Sequence, residues 1–338
     1  MLKTLAALAI TLSLLAGCGG GSNATNTENS KKIKIAVIPK ATTDEFWKSI
    51  HAGAEKARQE AIAGGADVEI AWQGPVVEND SSKQISVVEN MINTGVNAIV
   101  LAPNDTNALA DVVDLAAKKN IPVIIIDSKV NSENYKAFVA TDNLKGGQMA
   151  GEEMVKLLGG KGKVIVLRHD KGQLSTEERE KGFIDAVTKG GLTVVSSDQY
   201  GGPTGDSSRK VAENLLANFK NPDNSLTVDG IFASNEGATF GMLGALKDLK
   251  QAGKVKFIGF DASVALVNGL VAGEVSGLIV QDPVNMGYLG VKNALAVIAG
   301  KAPAERRIDT GVHFATKANM DSPDIHDVLY PPLDKYLK

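Results

Sequence analysis

The sequence predicts an α/β protein made of two lobes, each a doubly wound parallel sheet. Short, continuous apolar runs alternate with amphipathic segments of helical length, a pattern typical of parallel sheets covered on both faces. About ten apolar runs of strand length occur, too many for one small sheet. The chain of 338 residues is also long enough for two domains of ordinary size.

The predicted elements form two successive series with the same plan. Strands are predicted at residues 33–38, 68–72, 98–101 and 123–126, and then at 139–141, 163–167, 193–195, 230–233, 255–260 and 277–280. Helices are predicted at residues 46–63, 84–93, 143–158, 176–189, 206–219 and 237–251.

The first residues are typical of a lipoprotein signal peptide. Lys3 is followed by an uncharged, largely apolar stretch over residues 4–16, and small residues directly precede Cys18. The apolar stretch is too short to cross a hydrocarbon core of roughly 30 Å as a permanent helix. We therefore predict a signal peptide at residues 1–17, with Cys18 as the lipidated first residue of the mature chain.

Composition predicts a flexible tether and argues against several classes of site and partner. Residues 18–31 are mostly Gly, Ser, Asn and Thr, which cannot bury apolar surface, so they are predicted to form a flexible tether. Cys18 is the only cysteine, which argues against disulfides and cysteine metal sites. The net charge of -3 argues against nucleic-acid binding. We expect a periplasmic or cell-surface protein that is attached to the membrane through its lipid alone.

The loop after the first predicted strand favours sugar binding over nucleotide binding. In doubly wound sheets the ligand binds at the carboxyl ends of the strands. Residues 39–47 contain no GxGxxG pattern, so no dinucleotide site is predicted there. They do place Phe46 and Trp47 at the start of a helix, where an aromatic face can stack on the apolar C–H face of a sugar ring. We expect one of the two aromatic residues to belong to the core and at least one to line the binding cleft.

Polar side chains follow several of the other predicted strands. Asp127 and Asp261 each stand directly after a strand, where a carboxylate can accept hydrogen bonds from adjacent sugar hydroxyls. Either aspartate could instead cap the next helix, a role that suits Asp261 better than Asp127. Asn235 and Gln281 add amides that both donate and accept. Without a nucleophile and a base at a recognisable spacing, this set predicts binding rather than catalysis, with no cofactor or metal.

From Ile33 to about Val312 the chain resembles the ribose-type periplasmic sugar-binding proteins, which share their fold with the effector domains of LacI-type repressors. The predicted signal peptide occupies the place where a repressor would have its DNA-binding helices. The landmarks of the resemblance are residues 44–47, 121–123 leading to Asp127, 140–143 with Gly146 and Gly147, 182–183, 235–236, 259–261 and Gln281.

The resemblance implies two lobes joined by a three-crossing hinge, which close around the ligand. Residues 32–141 with 282–309 would form the N-terminal lobe, and residues 142–281 with 310–338 the C-terminal lobe. The residues implied to contact the ligand are Asp44, Phe46, Trp47 and Asp127 in the first lobe, Asn235 and Asp261 in the second, and Gln281 at the hinge. Thr141, at another crossing, is a further candidate.

Two departures from the ribose binders leave the identity of the sugar open. Those proteins have an arginine after the aspartate that matches Asp127, whereas Ser128 stands here. Their second-lobe arginine falls near Glu177, with Arg179 two positions further on. Arg168, at the end of a strand, could supply the missing guanidinium, or it could belong to a solvated charged turn.

We therefore predict a monomeric, extracytoplasmic solute-binding lipoprotein. It would capture a sugar or polyol and deliver it to an ABC permease and the ATPase of that permease. One alternative is a sensory receptor that presents the same ligand to a chemoreceptor or histidine kinase. A second is a carbohydrate hydrolase, which needs an acid and a base carboxylate on either side of one bond.

Overall fold

The computed structural model describes residues 32–303 and 305–337, which form two six-stranded sheets. The first sheet has the order β11-β5-β4-β3-β1-β2, and its strands run parallel. Its strands are β1 (Ile33–Ile38), β2 (Val68–Trp72), β3 (Ala98–Leu101), β4 (Val123–Ile126), β5 (Ala137–Ala140) and β11 (Arg307–Asp309).

The second sheet repeats the same order of connections, β12-β10-β9-β8-β6-β7. Its strands are β6 (Lys163–Arg168), β7 (Thr193–Tyr200), β8 (Gly230–Ala233), β9 (Lys256–Phe260), β10 (Gly277–Gln281) and β12 (Val312–Ala315). All are parallel except β12, which pairs antiparallel with β10. The fold is therefore a pair of doubly wound α/β lobes, as the sequence predicts.

Helices cover both faces of each sheet, because the strands are apolar on both sides. On the first sheet, α1 (Glu45–Ala63) and α9 (Pro283–Ile298) cover one face, and α2 (Ser81–Asn93) and α3 (Ala110–Lys118) cover the other. On the second sheet, α4 (Asn143–Leu158) and α5 (Leu174–Lys189) lie opposite α6 (Gly205–Ala217), α7 (Glu236–Asp248), α8 (Val264–Ala272) and α10 (Pro323–Leu329).

The chain passes between the lobes three times. It leaves the first sheet between β5 and α4, returns between β10 and α9, and leaves again between β11 and β12. The lobe boundaries given above remain a proposal, and the last helix, α11 (Leu333–Tyr336), departs from them because it packs against α1 of the first lobe. The proposed signal peptide, Cys18 and the tether lie outside the described residues.

All ten predicted strands are confirmed, and β7 extends further than predicted. The sequence analysis missed β11 and β12, which are short edge strands with charged or half-buried residues. It also missed α3, α8 and α9; α8 and α9 are apolar on most sides, which hides a helical period. None of the helices in residues 32–303 and 305–337 combines the length and apolar character needed to cross a bilayer.

A close approach of α1 and α9 fixes the position of the α1 N-terminus. A Cβ atom added at Gly53 would overlap the carbonyl oxygen of Val284, and one added at Gly287 would overlap that of Ile50. Both obstacles are backbone atoms, so they cannot rotate away. Only glycine at each position lets the two helices lie this close.

We expect Gly53→Ala to lower the free energy of unfolding by about 1–3 kcal/mol, since the added methyl group forces α1 and α9 apart. Gly244→Ala is the matched control, because Gly244 also lies inside a helix but faces only the flexible Arg209 side chain. That control should be neutral or stabilising by up to about 1 kcal/mol through helix propensity. Urea denaturation measures both, and equal losses in the two variants would contradict the close-packing argument.

Candidate functional site

A small cavity lies between the carboxyl-end loops of the two sheets. Loops and helix N-termini of both lobes contribute to it. Its lining consists of Lys40, Asp44, Phe46, Trp47, Glu78, Asp127, Gln173, Ser175, Thr176, Arg179, Asn235, Glu236, Asp261 and Gln281.

Lys40 and Asp127 form a buried ion pair on the first-lobe side. Lys40 Nζ lies 2.7 Å from Asp127 Oδ2, and both side chains are buried. Lys40 also donates to Gln173 Oε1 at 3.2 Å and to Ser175 Oγ at 3.1 Å, which belong to the second lobe. Burying a charge is costly unless it is paired and hydrogen-bonded. Lys40 therefore compensates the charge of Asp127 and links the two lobes at the same time.

The two aromatic residues of the first loop both line the cavity and pack into the core. Phe46 and Trp47 meet edge to face, with ring centroids 4.9 Å apart. The indole Nε1 of Trp47 donates to Glu78 Oε1 at 2.6 Å. Trp47 is therefore held by a hydrogen bond as well as by packing.

Asp261 occupies the same place in the second sheet that Asp127 occupies in the first. Both follow a central strand and adopt a left-handed backbone, with φ of 62° at Asp127 and 70° at Asp261. Aspartate tolerates this conformation better than most residues. Neither aspartate caps the next helix, because Ser263 is the N-cap of α8 and Asp127 is followed by a strand. The alternative that either aspartate caps the next helix is therefore wrong; Asp261 Oδ2 instead accepts from the Glu236 N–H at 3.1 Å, in the first turn of α7.

Arg179 and Gln281 surround the Asp261 carboxylate. Gln281 Nε2 donates to Asp261 Oδ1 at 2.7 Å, and Arg179 Nη1 lies 3.7 Å from Oδ2. The Arg179 guanidinium stacks on the Phe260 ring, 3.9 Å from its centroid, and donates to the Ser234 carbonyl. Gln281 Oε1 is buried and accepts no hydrogen bond from the described residues. It is therefore an acceptor without a donor in the wall of the cavity.

Helix ends of one lobe are capped by carboxylates of the other. Glu236 accepts hydrogen bonds from the Phe46 N–H at 2.9 Å and from the Glu45 N–H at 3.4 Å, both in the first turn of α1. In return, Glu45 accepts from the Val264 N–H at 3.0 Å, in the first turn of α8. Among the described contacts, neither helix has a side-chain hydrogen bond from its own N-cap residue, Asp44 or Ser263. Both caps therefore exist only while the lobes are together.

A buried contact between a carboxylate and an imidazole joins the lobes beside the cavity. His169 Nε2 lies 2.7 Å from Glu78 Oε2, and both side chains are largely buried. Although burial alone raises the pKa of Glu78, its hydrogen bond and charge interaction with His169 lower that pKa to about 2. Glu78 is therefore ionised at neutral pH, and it connects Trp47 of the first lobe to His169 of the second.

Seven of the nine proposed ligand contacts line the cavity: Asp44, Phe46, Trp47, Asp127, Asn235, Asp261 and Gln281. Asn235 also caps α7, by accepting from the Ala238 N–H. Thr141 and Arg168 do not line it. Thr141 is buried at a chain crossing, where its hydroxyl donates to the Gly311 carbonyl, so it belongs to the hinge.

Arg168 lies outside the cavity, contrary to expectation. Its Nη1 donates to Tyr200 Oη at 3.2 Å and lies 3.5 Å from Glu180 Oε2. The cations of the cavity are instead Lys40 and Arg179. Arg179 is the arginine two positions beyond Glu177, and it reaches the cavity beside Asp261. Lys40 lies in the loop after β1. That loop was predicted to contact the ligand through other residues, and no role was predicted for Lys40.

The geometry can be compared with known proteins. A family model described as a periplasmic binding protein domain matches residues 35–302. The chain belongs to this family. As a member of the periplasmic binding protein family, it carries its cavity at the carboxyl ends of both sheets, where doubly wound folds bind ligands.

Individual members of the family are similar over nearly their whole length. The ribose import binding protein RbsB of Bacillus subtilis is 31% identical over 304 residues, which cover 87% of this chain and 92% of that protein. A solute-binding protein of Agrobacterium radiobacter, solved with D-arabinose, is 36% identical with a TM-score of 0.81, covering 89% of this chain and 99% of that one. One from Agrobacterium vitis, solved with D-fucose, is 34% identical with a TM-score of 0.81, covering 88% and 100%. These relatives are solute-binding proteins, not enzymes.

Glu236 and Asp44 in the cavity of this binding protein resist ionisation, as does Asp261, whose pKa burial raises although Arg179 opposes the rise. Burial raises the pKa of Glu236 to about 8; the hydrogen bond from Phe46 opposes the rise, while the carboxylates of Asp44, Asp261 and Glu45 add to it. Burial and the nearby Glu78 raise the pKa of Asp44 to about 6. All three groups bind protons more tightly in the folded protein than in the unfolded chain.

The ligand-free protein should therefore become less stable as the pH rises from about 4.5 to about 8, because over that window folded Glu236 stays protonated while the unfolded chain loses the proton. Glu236→Gln should flatten this decline, since glutamine does not titrate. Melting temperatures of both proteins across the window measure the difference. Groups common to both, such as His51, cancel in the comparison. Equal slopes would show that Glu236 is not desolvated in solution.

Proposed function

We propose that the protein binds a monosaccharide or polyol between its two lobes and delivers it to an ABC importer. The observation that carries this proposal is a small cavity whose wall combines carboxylates, amides, hydroxyls and two cations with the Phe46–Trp47 pair. A polyol needs partners of both hydrogen-bonding senses around its edge and apolar contact on its ring face.

The pairing within the cavity favours a neutral, hydroxyl-rich ligand over an anionic one. Lys40 and Arg179 are the two cationic residues in the lining, and each already faces a carboxylate, Asp127 or Asp261. An anionic ligand would have to displace one of these aspartates from its partner. Hydroxyl groups can instead donate to the aspartates and to Gln281 Oε1 while accepting from the cations.

The relatives' ligands support a monosaccharide as the chemical class. D-arabinose and D-fucose are bound by the two solved relatives, and the names of other relatives cite ribose, allose and xylitol. For this chain we do not assign ribose. Ser128 stands where ribose binders have an arginine, and its Oγ accepts from the Ser175 N–H at 3.3 Å across the lobes.

Closure of the lobes is the proposed mechanism. Ligand binding between the lobes favours the closed arrangement, because the ligand contacts both walls only when they meet. The capping of α1 by Glu236 and of α8 by Glu45, together with the Glu78–His169 pair, adds direct contacts to the closed state. The importer would then recognise the relative position of the lobes and accept only a loaded protein.

Asp127→Asn and Asp261→Asn should each weaken sugar binding at least about tenfold, since a hydrogen bond to a charged group contributes roughly 1.5–3 kcal/mol. Titration calorimetry with the sugar or polyol selected from a thermal-shift panel measures the loss. Asp223→Asn, at an exposed loop position outside the lining, is the control and should bind like the wild type. Unchanged affinity in both cleft variants would remove these aspartates from the site, and no response to any sugar or polyol would overturn the proposed ligand class.

We further propose that the mature protein is extracytoplasmic and held at the membrane by a lipid on Cys18. The apolar stretch over residues 4–16 and the small residues before Cys18 support a lipoprotein leader. A chain attached in this way stays near the membrane, which raises its effective concentration at an importer.

Wild-type protein expressed with its leader should incorporate a labelled fatty acid and fractionate with membranes, whereas Cys18→Ser should incorporate none, because the sole thiol is gone. Mass spectrometry of the N-terminal peptide checks the site. Thermal unfolding of the purified variant is the control for folding. An unlabelled wild-type protein with a free N-terminus beyond residue 18 would contradict the lipid anchor.

A further inference from the structure

The cavity contains more carboxylates than cations. Five carboxylates line it: Asp44, Glu78, Asp127, Glu236 and Asp261. Three of them have cationic or imidazole partners, since Asp127 faces Lys40, Asp261 faces Arg179 and Glu78 faces His169. Asp44 and Glu236 make no ion pair with any described residue. Within the described part of the chain, the cavity carboxylates without a cationic partner are therefore Asp44 and Glu236.

Asp44 is free to face a ligand because another residue has taken over its usual role. An aspartate at a helix N-cap ordinarily accepts a hydrogen bond from the first-turn N–H groups of its own helix. Here Glu236 of the opposite lobe accepts from the Glu45 and Phe46 N–H groups, and the Asp44 carboxylate receives only the Thr43 hydroxyl, at 3.2 Å, among the described contacts. The same arrangement brings Glu236 next to Asp44.

The groups that face Asp44 and Glu236 do not neutralise them. Around Asp44 are Glu78, His169 and Lys48; His169 is paired with Glu78, and Lys48 is exposed on α1. The charged side chains that most affect the pKa of Glu236 are Asp44, Asp261 and Glu45, all acidic. The pKa of Asp44 is raised to about 6 and that of Glu236 to about 8, as expected for buried carboxyl groups that have no cationic partner among the residues described.

A second observation points to a ligand rich in donors. Gln281 Oε1, in a side chain that is 3% exposed, lines the same cavity and accepts no hydrogen bond from residues 32–303 and 305–337. A metal ion is not the expected partner, since the described residues contain no group of three or more His, Cys, Asp or Glu side chains that could hold one. An ammonium group supplies both a positive charge and three donors.

We infer, on the basis of the proposed function, that the ligand is an amino sugar or amino polyol and that Asp44 and Glu236 bind its ammonium group. The remainder of the ligand would keep the hydroxyl contacts to Asp127, Asp261 and Gln281. Glu236 can bind the ammonium without releasing α1, because a carboxylate has about four lone-pair sites and two backbone N–H groups use only two of them. The two residues then determine specificity for the amine.

Matched ligand pairs test this inference on the full mature chain. Each pair contains a neutral sugar or polyol and the counterpart in which one hydroxyl is replaced by an amine, with the amine at different carbons across the panel. Calorimetry near neutral pH should find at least one amine bound at least about tenfold more tightly than its hydroxyl counterpart, as expected for a charge-assisted bond. The N-acetyl form of that amine, which has no charge, should lose the advantage.

Variants assign the effect to the two carboxylates. Asp44→Asn and Glu236→Gln should each reduce the preference for the amine while changing the affinity for the neutral ligand less. Asp223→Asn is the control, because Asp223 is an exposed carboxylate in a loop outside the lining of the cavity. It should leave the affinities of both members of a pair unchanged. Binding of the amine should also release protons, measured in buffers of different ionisation enthalpy, whereas the neutral ligand should release none.

The possible failures are distinguishable. If neutral sugars bind and no amine binds more tightly, the inference is overturned while sugar binding stands. A preference for the amine that survives in both Asp44→Asn and Glu236→Gln would equally overturn the assignment to these residues. If neither neutral ligands nor amines bind, the proposed function fails together with the inference.

Discussion

The structure depends on the burial of charge between two sheet edges that face each other. Parallel strands direct all their polar loops to one edge, and two such edges meet in this fold. Charged groups taken out of water must find partners, and the partners of Lys40 and Glu78 lie partly in the opposite lobe. The buried ion pairs, the helix caps and the contact between the lobes therefore depend on one another.

The reciprocal caps show how this contact depends on the ends of helices. The first N–H groups of a helix have no partner within the helix and must be satisfied elsewhere. In α1 and α8 that partner is a carboxylate from the other lobe, Glu236 or Glu45. When the lobes separate, water replaces both caps, so the gain on closure is modest. A modest gain suits a receptor that must also open and release its ligand.

Much of the fold could be predicted because the strands are continuous apolar runs, and the positions of Asp127 and Asp261 followed from the strand ends. The partners of those aspartates could not be predicted in the same way. A lysine after a strand is usually solvated, so the sequence alone did not indicate that Lys40 is buried and paired with Asp127. Glu78 and His169 lie in loops far apart in sequence, and only the contact between the lobes brings them together.

The arginine of the cavity could not be predicted from the sequence either. Arg168 stands at a strand end and was the natural candidate, but Arg179 reaches the cavity from inside α5. Its position depends on the close approach of α4 and α5, where a Cβ atom added at Gly147 would overlap the backbone carbonyl of Arg179. Sequence spacing alone does not report such a contact, because it depends on the distance between two helices.

The glycine contacts between helices separate what can change during evolution from what cannot. Gly53 and Gly287 each face a backbone carbonyl of the partner helix, so a larger residue at one position cannot be accommodated by a smaller residue at the other. The strand-end loops differ, because their buried groups meet other side chains, so a change in one partner can be matched by a change in the other. The distance between α1 and α9 is set by backbone atoms, and no substitution on the partner helix can restore it once a larger residue replaces Gly53 or Gly287.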